Sequence, residues 1–422
     1  MPSRRTFLGT AATFAAASLV RADEAKTGPK KKLAVVTTEW RYHSHAWHMA
    51  ERFLTGYPVG GKWHQPPFEV VSAYVDQFPS GDLSRQRAKE FEFKIYPSVG
   101  EALRCGGDKL AVDAVLIIGE HGNYPVNKLG QTQYPRYEFF KQTTEVFAKN
   151  GKVVPVFSDK HLSWRWDWAR EMVDTARRME IPFLAGSSLP VTWRMPSIDL
   201  PYGAEVEEML CIAIGRQDSY DFHALETIQC MAERRKGGET GVKALQAIRG
   251  DAVWKAMAEN SWDAGGWDPR LFEACLCRSQ TLAQTPTGND RYPTPEQMRE
   301  WVRDPIGYRY EYIDGTKATM LLMNGLVGDF TFAARVKGEP EPLSTLFYLP
   351  PNPNVTYSAV LMSKAEELFV TGKPPYPIDR TLLTTGLVEA GVRSLGEGQR
   401  RLETPHLAIR YAAPKESQFV RT

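Results

Sequence analysis

The sequence predicts an α/β domain with a doubly wound parallel sheet, then an α+β domain whose open, mainly antiparallel sheet carries helices on one face. Three observations predict it. Short β-branched strands alternate with helices over residues 33 to 165. Strands of hairpin spacing, each closing on glycine, follow near residues 307 to 338. A chain of 422 residues also exceeds what one ordinary core holds, so two domains are the default.

Residues 1–22 open with "SRRTFL", two adjacent arginines before the moderately apolar "FLGTAATFAAASLV", and end at Val20-Arg21-Ala22, with small side chains where a signal peptidase reads. This resembles a twin-arginine export signal, which implies the translocation machinery as a partner and a periplasmic or secreted location. The stretch is too short to span a bilayer in the mature protein, and no stable membrane span is expected. Residues 23–32, "DEAKTGPKKK", read as a flexible leader. "KLAVVTT" at 32–38 is a buried strand, and "AERF" lies in a helix. "FEVVSAYVD" at 68–76 is a second strand ending in an acid. "AVDAVLIIGEHGNYP" at 111–125 holds a strongly apolar strand, "YEFFKQTTEVFAKNG" is a helix stopped at Gly151, and "KVVPVFSDKHLSW" at 152–164 is another strand. Strands alternating with helices make this first domain, residues 33–165, Rossmann-like.

From residue 166 to 422 the pattern changes. "DWAREMVDTARRME", "AEVEEMLCIAIG" and "FHALETIQCMAERRKGG" read as helices; "GYRYEYIDG", "KATMLLMNG", "GDFTFAARVKG" and "STLFYLP" read as strands. "RTLLTTGLVEAGVRSL" at 380–395 is an amphipathic helix with Leu383, Leu387 and Ala390 on one stripe.

Composition excludes several classes. With 52 basic and 50 acidic residues the net charge is +2, which leaves no footprint for nucleic acid. Five cysteines in scattered positions form neither a metal-type CxxC pair nor a disulfide framework. Cys275 and Cys277, two apart, would face different sides of a helix.

Ligands of an open parallel sheet bind beyond the carboxyl ends of its strands. Three such loops carry histidine beside a carboxylate: His43 and His45 near Glu39, His121 next to Glu120, and His161 near Asp159. His43, His45, His121 and His161 are thus either candidate ligands of a divalent metal or the polar lining of a sugar or nucleotide pocket. His48 reads as a packed side chain, and His64 and His406 as surface residues in Pro-flanked loops. Lys160, directly beyond a buried strand, is a candidate for proton transfer. Trp164, Trp166 and Trp168 alternate in "SWRWDW", which would set their rings on one side of an extended segment, either as a sugar platform or as packing at the domain seam. Tyr124 and Tyr134 are candidates for the same wall.

The order of elements, with "YPSVGEAL", "VDAVLIIGEHGNYP" and "VPVFSDKHLS" in the first domain and a sheet-rich second domain, resembles the Gfo/Idh/MocA oxidoreductase family over nearly all of the chain beyond the leader. The resemblance implies NAD or NADP on the first domain, a carbohydrate substrate site on the second, and a homo-oligomer formed through the second sheet. It implies that Lys160, in Asp159-Lys160-His161, is the counterpart of the family's catalytic lysine. His223 and Glu226 in "SYDFHALE" would be its second-domain histidine and acid, with Asp221 or Asp218 as the upstream acid. Asp76 would hold a ribose hydroxyl, with Glu120, His121 and Asp159 bordering the cofactor. The first loop departs from the pattern: "TTEWRYHSHA" has no glycine to admit a pyrophosphate, and Trp40, Arg41 and Tyr42 are expected to crowd that space. The expected function is therefore an exported sugar or polyol oxidoreductase. The alternatives are an NAD-independent, metal-dependent hydrolase, lyase or isomerase on the same scaffold, or a non-catalytic sugar-binding relic.

Overall fold

The structure, a computed structural model, describes residues 29–283, 291–350 and 356–421. Residues 1–22, expected from the sequence to be an export signal, and most of the expected leader lie outside the described residues. Lys31–Thr422 forms one compact unit.

Two fully covered apolar strands anchor the first layer. β1 (Lys31–Thr37) and, later in the chain, the all-buried "AVLII" strand owe their unbroken apolar runs to helices on both faces of the sheet. After β1 come α1 (His45–Thr55), a hairpin of β2 (Tyr57–Val59) and β3 (Lys62–His64), β4 (Phe68–Val75), α2 (Ser84–Glu90), β5 (Lys94–Tyr96) and α3 (Val99–Arg104). Then follow β6 (Ala114–Ile118), α4 (Arg136–Asn150), β7 (Val156–Asp159), α5 (Trp166–Arg178) and β8 (Phe183–Gly186). The sheet runs β5-β4-β1-β6-β7-β8 with every pair parallel. Its order reverses between β1 and β6, the switch point at which such sheets open a crevice. The layer extends past residue 165, because β8 pairs with β7 as a sixth strand.

The second layer comprises β9 (Trp193–Met195), β10 (Val206–Ala213), β11 (Val242–Arg249), β12 (Ile306–Tyr312), β13 (Lys317–Leu322), β14 (Phe330–Val336), β15 (Leu343–Tyr348) and β16 (Leu402–Glu403). Their order is β16-β11-β12-β13-β10-β14-β15-β9, antiparallel except for the β10–β13 pair. β10 is the "VEEMLCIA" stretch that its Glu, Met and Leu content marks as helical. At the centre of the sheet, flanked by β13 and β14, packing overrides propensity.

One face of this sheet is covered by α6 (Tyr220–Ala232) and, later, α11 (Ile378–Gly396), where Leu383, Leu387 and Ala390 are buried as their spacing requires. The opposite face is covered as well. α7 (Asp251–Ala258), α8 (Pro269–Arg278) and α9 (Pro295–Trp301) place Trp254, Phe272 and Met298 against Leu210, Ile212 and Leu321. Helices therefore lie on both faces of this sheet, where the sequence predicts them on one. α10 (Thr356–Thr371) returns to the first layer and packs beside α1.

Candidate functional site

Three loops at the carboxyl edge of the parallel sheet build the site. The loop after β1 ends at Ser44, which caps α1 by accepting the Trp47 N–H, so His45 becomes the first helical residue. The second follows β6 and the third follows β7. Each turns through a non-glycine residue in the left-handed region: His43 (φ 63°), His121 (φ 74°) and Lys160 (φ 61°). This conformation costs an L-residue about 1–2 kcal/mol and gathers at functional sites. The loops border a cavity of about 650 Å³, which His45, Glu120, His121 and Lys160 line from one side and Ser219, Tyr220, His223 and Phe330 from the other.

A buried charge network fixes this edge. Arg136, fully buried in the first turn of α4, donates to Glu120 Oε2 at 2.7 Å and to His161 Nε2 at 3.2 Å. Lys160 Nζ lies 3.4 Å from Glu120 Oε1 and donates to the Ser219 carbonyl at 3.3 Å. Burial alone would raise the Glu120 carboxyl; Lys160, His45, Arg136 and His121 outweigh it and hold Glu120 well below the usual carboxylate range. Burial, with Lys160 next, pushes His223 well below the ordinary imidazole value. Burial, followed by His45, lowers His121 to about 4. Both imidazoles are thus neutral near pH 7. Gly119 permits the arrangement, since a Cβ there would sit 2.4 Å from Arg136 Cγ.

The structure brings together Lys160, His223, Glu120, His121 and His45 on the cavity, with Tyr134 beside them. Other expected residues stand elsewhere, for physical reasons. Asp221 accepts the Asp218, Ser219 and Phe222 N–H groups and the Tyr308 hydroxyl, so it is spent on the start of α6. Glu226 accepts the Ser187 N–H and Oγ–H behind the cavity wall, and burial raises it to about 7. Asp159 is buried and reaches the cavity through His45, whose Nδ1 is 2.7 Å from its Oδ2. Asp76 is exposed and accepts the hydroxyls of Tyr74 and Tyr124, each at 2.6 Å, which holds Tyr124 outside the cavity lining. Trp164 and Trp166 stand away from this cavity. The chain turns helical at Trp166; Trp164 meets Trp168 edge-on, Trp166 packs on His406, and both Trp164 and Trp166 border a separate surface depression. Trp40 is wholly buried against Phe93 and does not crowd the crevice.

The four histidines do not form a ligand set. His43 packs among Tyr42, Trp47 and His48, and His161 is turned to Arg136. Among the described residues, His45, Glu120 and Asp159 have ligand atoms within 4.8 Å of one another. Their fit to a dication is poor, because Lys160 and Arg136 already balance Glu120 and His45 Nδ1 is engaged by Asp159. Nor do the residues fit a dinucleotide seated on a glycine turn. Residues 38–47 contain no glycine, and Asp76 is engaged by two tyrosines. Gln77 and Asn123 also exchange hydrogen bonds of 3.1 and 2.9 Å that close the β4 loop onto the β6 loop.

Sequence reasoning missed Arg136, Ser187 and Phe330. Arg136 left a signal: a basic residue in the first turn of an apolar helix opposes the helix dipole, and it belongs there only with an anion to bind.

No protein-family model and no curated protein matches the chain. Solved structures do. GenD2 from gentamicin A biosynthesis, in complex with NAD, is similar at TM-score 0.55 and 12% identity over 89% of this chain and 97% of that one. A probable dehydrogenase from Thermotoga maritima is similar at TM-score 0.51 and 11% identity, over 89% and 99%. Apo scyllo-inositol dehydrogenase from Lactobacillus casei is similar at 0.51 and 11%, over 89% and 98%. Identities this low speak to architecture alone, and the chain has the fold of the Gfo/Idh/MocA-type oxidoreductases.

Proposed function

We propose that the chain is an exported enzyme directed at a sugar or polyol, in which Lys160 and His223 move a proton at a substrate hydroxyl. The observation that carries this reading is the approach of these two side chains to one cavity, Lys160 from the loop after β7 and His223 from α6. Burial keeps the His223 imidazole neutral and ready to accept a proton. The Lys160 ammonium, held by Glu120 and the Ser219 carbonyl, steadies the oxygen that gives it up. Tyr220, whose ring lies 5.3 Å from Lys160 Nζ, and Phe330 offer apolar faces to a pyranose or cyclitol ring.

The dehydrogenases that share the fold, and the NAD in the GenD2 structure, support an oxidoreductase with a nicotinamide partner. The closed edge between the β4 and β6 loops favours a second reading, redox-neutral hydrolysis, elimination or isomerisation on the same scaffold. Export by the twin-arginine route rests on the first 22 residues alone.

The test is incubation with glucose, myo-inositol and scyllo-inositol, with and without NAD or NADP, followed by NMR of the sugar and absorbance of reduced nicotinamide. Reduced nicotinamide supports the first reading, and a sugar product without nucleotide supports the second. Lys160→Met stops either; unchanged turnover in that variant removes Lys160 from the mechanism.

A further inference from the structure

His45 occupies a place where this kind of sheet keeps its first turn for a ligand, and its side chain is not idle. The strand order is β1-β6-β7, so an imidazole starting from the β1 loop must cross the end of β6 to reach the β7 carboxylate. It does so: His45 Nδ1 stands 2.7 Å from Asp159 Oδ2, while the other oxygen, Oδ1, accepts the Gly119 N–H at the end of β6, also at 2.7 Å. The Asp159 side chain has no exposure and that of His45 keeps 18%. A buried carboxylate held by a backbone N–H cannot turn away, so it fixes one tautomer: the proton sits on Nδ1, and Nε2 is left as an acceptor. His45 lines the cavity that also holds Lys160 and Glu120, and its ring centroid lies 4.8 Å from that of His121. A carboxylate behind an imidazole whose far nitrogen faces a substrate-sized space is the arrangement that makes histidine a proton acceptor.

We propose that His45, oriented by Asp159, is a catalytic base of this cavity that takes the proton from a hydroxyl of a polyhydroxylated substrate. The O–H bond breaks and an Nε2–H bond forms. The electron pair stays on the oxygen, and the imidazolium faces Asp159. No oxidant enters the step. The nature of the substrate rests on the reading given under Proposed function; the dyad and its reactivity do not.

The dyad is therefore tested without a sugar. In full-length protein labelled with ¹⁵N-histidine, two-bond ¹H–¹⁵N correlation gives the His45 tautomer directly. The Nδ1–H form is expected; an Nε2–H form overturns the proposal with no variant needed. Diethyl pyrocarbonate with peptide mapping then reads Nε2 reactivity. His45 should react about 10-fold faster in wild type than in Asp159→Asn, with half-exposed His64 as the unchanged internal reference. Equal His45 rates in the two proteins refute the role of Asp159. If Asp159→Asn does not fold, Asp159→Glu replaces it, and the tautomer in wild type still decides. On any sugar turned over in the panel above, His45→Gln should lose about 100-fold in kcat with KM within about 3-fold, and an unchanged kcat sinks the catalytic claim. A panel with no turnover counts against the proposed function, whereas the wrong tautomer counts against the dyad.

Discussion

Arg136→Met removes a fully buried cation from between Glu120 and His161. An unpaired buried carboxylate costs about 3–5 kcal/mol. Lys160, 3.4 Å from Glu120, remains and offsets part of this, which leaves about 3 kcal/mol. Unfolding entropy of about 2.1 cal/mol/K per residue gives about 0.8 kcal/mol/K for the unit Lys31–Thr422, so the melting temperature should fall by about 4 °C. The sign with pH follows from Glu120, whose folded value is depressed well below the ordinary carboxylate value of 4.5. Its stabilisation is present above that pH and is lost as pH falls through the folded value. The gap between variant and wild type should accordingly stay wide from pH 7 down to about 4.5 and narrow as pH falls below that value, and Glu120→Gln added to the variant should recover part of the loss. Calorimetry from neutral pH to well below that value is the assay. A gap under about 1 °C at pH 7, or one that does not change with pH, would refute the charge-pair argument.

Three further outcomes are expected. From four buried groups, stability should be nearly level between about pH 4.5 and 6.5 and fall from there to about pH 8. His121, lowered to about 4, and His48, lowered to about 3, both chiefly by burial, lose their contribution as pH falls below 6.5; Glu226, raised from 4.5 to about 7, and Asp218, raised from 3.8 to about 8, lose theirs as pH rises from the lower to the higher of those values. Melting curves from pH 4 to 9 check this, and a monotonic rise would contradict it. Gly119→Ala should cost about 1–3 kcal/mol in denaturant titration, because the new Cβ collides with Arg136. In the native protein Cys277 should react with a thiol reagent well before Cys211, Cys230 and Cys275, which are buried and raised in pKa, Cys230 and Cys275 to about 12. Peptide mapping identifies the modified residue.

Much of the first layer was legible because its strands are fully covered and so read as unbroken apolar runs, as in β1 and β6. β10 was misread as a helix, since a strand buried on both faces loses the alternation that separates the two. α7 to α9 are visible as helices only once the face they cover is known. In the site, the meeting of Lys160, His45 and His121 was legible because strand ends converge by topology, whereas His223, on α6, was named only through the family resemblance. Asp221 and Glu226 were misplaced because the i, i+3 spacing on α6 fixes a helical face but not which of its carboxylates caps the helix and which turns behind the wall. Trp164 and Trp166 were expected in an extended segment, but the chain turns helical at Trp166 and they border a different depression.

The left-handed turns at His43, His121 and Lys160 have an engineering consequence. Glycine at position 121 relieves the torsional penalty, so a campaign for heat resistance, scored on melting temperature alone, would select it early. That gain deletes an imidazole from the cavity rim. At position 160 the same change also strips Glu120 of a cation 3.4 Å away, and no gain is expected there. Variants made more thermostable at position 121 should therefore be less reactive, and a screen that selects for both properties should leave it untouched.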